Sequence, residues 1–242
     1  MSISPEILQI ASIEIDIVRK DIKNMHLAVY PPHGRVRLAV PQNTDVEVLR
    51  LFAISKLGWI KKHVKNFKEQ ARETKRDYVS GESHFFQGRR YILDVEEHDG
   101  FSKVQINSTK KINLKVPKGA SVEDKARIMK EWYRKQLKIQ ILPLMEKWEK
   151  VVGVKANDWS VKQMKTKWGA CNTDAKRIWL NLELAKKPPI CLEYILVHEL
   201  VHLHERSHND RFIALMNQFM PKWKLHRNEL NNLPIVHNDW GY

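Results

Sequence analysis

Ile13, Ile15 and Ile17 alternate with Glu14, Asp16 and Val18, and a two-residue period of this kind marks a half-buried strand. "MHLAVYPPHGRVRLAVP" adds two short strand-like runs around the turn cluster Pro31–Gly34. The period then changes. Across "NTDVEVLRLFAISKLGWIKKHVKNFKEQ", Val48, Phe52, Ile60, Val64 and Phe67 recur at helical spacing, and Thr44 with Glu47 three residues on forms a capping box. "HFFQGRRYILDVEE" and "SKVQINSTKKINLKVP" return to strand-like runs with glycine-containing turns. The pattern predicts an α+β protein whose residues 1–119 form an N-terminal β-rich unit carrying one long helix. No internal repeat is read from it.

A second long helix is predicted from Ser121, capped with Asp124. Ile128, Trp132, Leu137, Ile141, Leu144, Met145 and Trp148 supply its buried side, Pro143 is expected to kink or interrupt it, and Gly153 to end it. Ile178, Leu180, Leu182 and Leu184 then alternate with Trp179, Asn181 and Glu183. Residues 161–171 and 178–184 are therefore expected to pair as a hairpin. Pro188 and Pro189 can open a helix, and "ICLEYILVHELVHLHERS" is apolar on nearly every side, as in a helix buried by its neighbours. Residues 120–242 read as a second domain.

Charge adds a further expectation. The 242 residues hold 42 Lys and Arg against 28 Asp and Glu, a formal charge of +14. Solubility accounts for such an excess, and so does a polyanionic partner, nucleic acid included. On the long N-terminal helix Lys61, Lys62, Lys65 and Lys68 form a basic outer face, read first as a solvated one. The two cysteines, Cys171 and Cys191, with no secretory leader over Met1–Ile10, give the expectation of a reducing, cytoplasmic location without disulfides. No apolar run approaches the ~20 residues of a membrane span.

The candidate chemistry lies in "ILVHELVHLHERSH", Ile195 to His208. His198 and His202 are four apart and share one helix face, so two neutral imidazoles can grip one Zn2+ ion. Glu199 lies to the side of that face, where it can take a proton from a metal-bound water without binding the metal itself. H-E-x-x-H is the zinc-hydrolase signature with that mechanism. His204 points away round the helix. His208 completes the spacing H-E-x-x-H-x-x-x-x-x-H, the ligand spacing of metzincins. Metzincins turn the chain at a glycine inside that gap; here the position is Glu205, so something else must make the turn. Ser207 with Asp210 can cap a following helix, with His208 as its first residue. His208 is the favoured third ligand, and an acidic residue from a later helix, Glu229, stays open.

"KTKWGAC", a strand, a proline-bounded helix with "VHELVHL" and then "SHNDRF" resemble the YgjP-like family of predicted metal-dependent hydrolases, relatives of the SprT-like zinc metallopeptidases. The first block departs from the family's usual W-G-S-C at Ala170; the last keeps the histidine of N-H-S as Ser207-His208-Asn209. The likeness is sharp over Lys165–Arg227 and looser at "YVSGESHFFQGRRYIL". It implies a zincin-like catalytic domain, with a small sheet beside the H-E-x-x-H helix, an edge strand along the cleft, and zinc on His198, His202 and His208. Two substrate classes come with the resemblance: proteins or peptides, and nucleotides through a UTP pyrophosphatase activity. A nonenzymatic module with a structural metal is a third reading, which an intact Glu199 argues against. For a peptidase, His226 and Arg227 are candidate donors to the developing charge. For a nucleotide, Lys165, Lys167 and Arg177 are candidate phosphate contacts and Trp168 a surface on which a base could stack. Cys171 reads as packing, because a fourth protein ligand would close the site.

Overall fold

Alternating apolar residues face a shared interior wherever the two-residue period is kept. The computed structural model describes residues 6–30, 34–69, 76–107, 110–164 and 167–233, a mixed α and β chain with three small sheets and six helices among them. Its described residues divide into two compact units, one up to residue 69 and one from residue 76 to Leu233. The division falls well before the expected boundary at residue 119. The reason is packing: Leu93, Ile112, Leu114 and Val116 join one hydrophobic core with Leu137, Ile141 and Leu196 of the later chain.

In the first unit β1 (Glu6–Ile10), β2 (Ile13–Lys20), β3 (His26–Tyr30) and β4 (Arg35–Pro41) form a sheet in the order β1-β2-β4-β3, with β2 and β4 parallel. Ile15, Ile17, Val36, Leu38 and Val40 point into its core. The helical stretch is two helices rather than one: α1 (Val46–Ser55) and α2 (Leu57–Glu69). Asp45, not Thr44, caps α1, its carboxylate accepting from the Glu47 N–H at 2.7 Å. The Thr44 hydroxyl donates to the Pro41 carbonyl instead, at 3.0 Å.

In the second unit β5 (Ser83–Phe86), β6 (Arg89–Glu97), β7 (Lys103–Ile106) and β8 (Lys111–Val116) form a sheet in the order β5-β6-β8-β7, with β6 and β8 parallel. The helix α3 (Val122–Val152) follows, with the Ser121–Asp124 capping box in place and Gly153 ending it at φ 73°. Pro143 does not interrupt α3. It lies on the exposed side, where water can satisfy the carbonyl that its missing N–H leaves free. The third sheet holds β9 (Asp158–Lys162), β10 (Gly169–Asn172) and β11 (Arg177–Asn181) in the order β10-β11-β9. β10 and β11 pair as a hairpin shorter than expected: Val161 and Lys162 belong to β9, which runs parallel to β11, and Leu182–Lys186 leaves as a 3-10 turn. Then come α4 (Pro189–Val201), α5 (Asp210–Phe219) and α6 (Trp223–Asn232). Among the described residues no helix is long and apolar enough to cross a membrane.

The first two sheets are copies of one design. Strand order and the parallel central pair are the same, a helical stretch follows each sheet (broken into α1 and α2 after the first, continuous as α3 after the second), and the buried positions recur 76 residues on: Ile10 and Phe86, Ile15 and Tyr91, Ile17 and Leu93, Val36 and Ile112, Leu38 and Leu114, Val40 and Val116, Ala53 and Met129. The first hairpin also keeps its register, Ile10 opposite Ile13 and Phe86 opposite Arg89. This internal repeat overturns the expectation of none. It is carried by which positions are buried, with residue identity kept mainly at Leu38, Val40, Pro41, Val46 and Glu47, which return as Leu114, Val116, Pro117, Val122 and Glu123.

Candidate metal centre

The helix α4 starts at the prolines and ends at His202, whose N–H bonds back to the His198 carbonyl at 3.3 Å. His198 and His202 share a face of it, their ring centroids 4.9 Å apart. His202 Nδ1 donates to the Glu205 carbonyl at 3.1 Å, which leaves its Nε2 as the nitrogen with a free lone pair. The turn that lacks the metzincin glycine is made by Glu205 itself: its carboxylate accepts the Ser207 N–H at 3.1 Å. That bond also holds the Glu205 carboxyl below its ordinary range. Asn209, not Ser207, caps α5, its side chain accepting from the Phe212 N–H at 3.0 Å. His208 therefore stands just outside the helix rather than as its first residue.

In that position His208 Nε2 lies 3.0 Å from His198 Nε2. One nitrogen from each of His198, His202 and His208 falls within 4.8 Å of the others. Nitrogens about 2.0–2.1 Å from one zinc ion in a tetrahedral site are themselves ~3.3 Å apart; the His198–His208 pair already stands at 3.0 Å, and the wider separations, up to 4.8 Å, would close onto a bound ion. Beneath them lies Phe212, only 2% exposed, with its ring centroid 4.9, 4.7 and 4.8 Å from those of His198, His202 and His208. Burial pushes His198 down to about 3, with His202, His208 and Arg227 adding to the effect, so the ring is neutral at physiological pH. Burial likewise lowers His202, against the hydrogen bond to Glu205. His198 Nδ1 is buried and has no hydrogen-bond partner among the described residues. Its surroundings, rather than an acceptor, keep this imidazole uncharged.

Glu199 is 5% exposed and sits against the backbone of β10. A Cβ at Gly169 would lie 2.8 Å from Glu199 Cγ and 2.8 Å from Ile195 Cγ2, and closer still to Glu199 Oε1. Only glycine leaves room for this carboxylate. Burial raises Glu199 to about 8, with Lys167 pulling the other way. Glu199, the three histidines, Gly169 and Tyr194 line one open cleft of about 450 Å³.

Of the other predicted residues, Lys167 and Trp168 line the cleft. Arg177 does not: it opens β11 and pairs with Asp158 at 3.0 Å. Lys165 lies outside the described residues. His226 and Arg227 are on α6 and outside the cleft lining; the Arg227 guanidinium sits 5.3 Å from the Trp223 ring centroid. Glu229 is exposed on α6 and does not join the imidazole cluster. His204 is structural, its Nε2 2.8 Å from the Val152 carbonyl. Cys171 lines the cleft, half-buried. Tyr194, Gly169 and Arg206 were not singled out from the sequence. Tyr194 could have been: it lies one helical turn before His198, and its ring stacks on Trp223 with centroids 6.5 Å apart.

No curated protein matches this chain. Among solved structures it is similar to the metallopeptidase zymogen abylysin of Pyrococcus abyssi, with 19% identity and a TM-score of 0.34, over 36% of this chain and 89% of that one. Residues 23–233 match the family described as YgjP-like, metallopeptidase domain, and the chain belongs to that family.

Proposed function

We propose that this chain is a zinc-dependent peptidase with a zincin-like catalytic domain, in which His198, His202 and His208 hold the ion and Glu199 is the general base. One observation carries the reading: three candidate ligand nitrogens within 4.8 Å of one another share a cleft with a buried carboxylate. Membership of a metallopeptidase family implies a divalent ion, and the all-imidazole set is one that zinc accepts. A divalent ion held there acts as a Lewis acid that polarises a carbonyl and brings the acidity of a water towards neutral pH.

The chain's own residues do the rest. Three imidazole ligands would leave a position open for substrate or water. Glu199, which shares the cleft with the three imidazoles, would in its ionised form take a proton and return it to the leaving amine nitrogen. Gly169 lets that carboxylate lie directly under the strand. β10 is an edge strand, so an extended peptide can add to its free side with the scissile bond above the histidines. Lys167, Trp168 and Arg206, which line the same cleft, would then meet the peptide. The nucleotide reading is not favoured, because Arg177, one of its expected phosphate contacts, is paired with Asp158 outside the cleft.

The test uses the full chain with zinc and an unfolded protein substrate, beside UTP. Cleavage of the protein is expected, with Glu199→Gln lowering kcat by ~10²–10⁴-fold while zinc stays bound. Equal turnover by parent and variant removes Glu199 from the chemistry; turnover of UTP alone removes the peptidase.

A further inference from the structure

The internal repeat supplies its own control for what the surface of α1 needs. Val48, Leu51, Ile54 and Trp59 are 48%, 65%, 51% and 43% exposed. Their counterparts 76 residues on are Asp124, Arg127, Lys130 and Lys135. At these positions the second copy of the fold carries charge, and Arg127 and Asp124 pair there at 3.1 Å. The architecture therefore does not require apolar side chains on this face. Exposed aliphatic side chains gathered in one place, where the same fold works without them, mark an interaction surface.

A small groove of about 210 Å³ adjoins that face, lined by Leu27, Phe52, Lys56 and Trp59. The groove's own Lys56 is exposed, and so is Lys62, one helical turn past Trp59; no carboxylate pairs with either among the described residues. The nearby acids are Asp45 and Glu47, and the Asp45 carboxylate already caps α1. We propose that α1 and the start of α2 form a docking site for an acidic protein segment, one that seats an apolar side chain in this groove and sets carboxylates against the cations.

A second copy of this chain is a poor occupant, because pairing would bring like charges together on a protein of net charge +14. Leu51 and Ile54, exposed on this face, offer a nucleic acid neither phosphate contacts nor stacking, whereas a protein segment can cover them. A concave groove favours an inserted side chain over a flat anionic membrane. The site lies wholly within the first unit and does not depend on the peptidase reading.

The experiment measures binding of a short fluorescein-labelled helical peptide, with Leu and Trp on one face and Glu elsewhere, to the full chain carrying Glu199→Gln, so that bound peptide is not consumed. Controls are the same peptide with Lys for Glu, the same peptide with Ser for Leu and Trp, an oligothymidylate and phosphatidylserine vesicles. The acidic apolar peptide is expected to bind at least about tenfold more tightly than either control peptide, and less tightly as salt rises. Leu51→Ser with Ile54→Ser, and separately Lys56→Glu with Lys62→Glu, are each expected to cost about tenfold; all four positions are exposed, so the melting temperature should hold. Equal binding of the three peptides, indifference to both double variants, or a response of these residues to the oligonucleotide or vesicles in place of the peptide overturns the proposal.

Discussion

Nε2 of His208 stands 3.0 Å from Nε2 of His198, although ten residues separate them and His208 belongs to no helix. The Glu205 carboxylate and the Asn209 cap bring the chain round to make this contact. If the two nitrogens share an ion, His208→Ala loses more than the 10–100-fold in zinc affinity that removing an outer-shell partner costs. Because His208 is exposed, the metal-free variant should melt with the parent. Competition against a chelator gives the affinity, and an unchanged value would take His208 out of the site.

Phe212 is the common floor of the three rings. Phe212→Ala should lower the stability of the metal-free protein by ~3–5 kcal/mol, read from denaturant unfolding, because it opens a cavity in a closed core. Zinc affinity should fall with it, as the rings lose the surface that orients them. Phe212→Leu, which refills most of the space, should retain the greater part of both. A variant with Ala that binds zinc like the parent would show that the rings need no floor.

Gly169→Ala tests the packing under the general base. The backbone there is not in the left-handed region, and the added methyl meets Glu199 and Ile195 first. Displacing the carboxylate by an ångström is expected to cost ~10²-fold in kcat with zinc content unchanged. Glu199→Asp, whose shorter side chain withdraws from the methyl, should then be less harmful in the Gly169→Ala background than in the parent. Steady-state rates of the four proteins decide it; full activity of the single Gly169→Ala variant would contradict the packing argument.

Cys171, in the same cleft as the histidines, offers a pH test on a group outside the proposed ligand set. Burial pushes its thiol up to about 11, and the Glu199 carboxylate adds to the shift. A raised value means less thiolate at a given pH. Against an ordinary thiol near 8.5, alkylation at pH 8 should be slower by roughly two orders of magnitude. The rate should keep rising about tenfold per pH unit beyond pH 9, where an ordinary thiol levels off. Mass-resolved labelling of Cys171 reads this directly, and a plateau near pH 9 would place the thiol in water.

Much of the candidate site was legible because it is local. The four-residue spacing of His198 and His202, the prolines that open α4 and the Ser121–Asp124 box each act within a turn or two of helix. His208 was reached from spacing as well, though the cap that follows it is Asn209: Ser and Asn are both good caps, and tertiary position chose between them. What escaped the sequence is set by contacts between distant segments. Gly169 matters because β10 runs against Glu199, and nothing in "KWGAC" states that. Arg177 looked available until Asp158, on a parallel neighbour strand, paired with it. The repeat was hidden because buried positions accept any apolar residue of fitting size, so Ile15 and Tyr91 hold the same place without resembling each other.

The metal content of the folded chain is the most direct test of the three-histidine site. Native mass spectrometry after zinc reconstitution, on the parent and on His198→Ala with His202→Ala, is predicted to give one ion per parent chain and none on the double variant. A parent chain that takes up no zinc, or a double variant that still retains one ion, would contradict it.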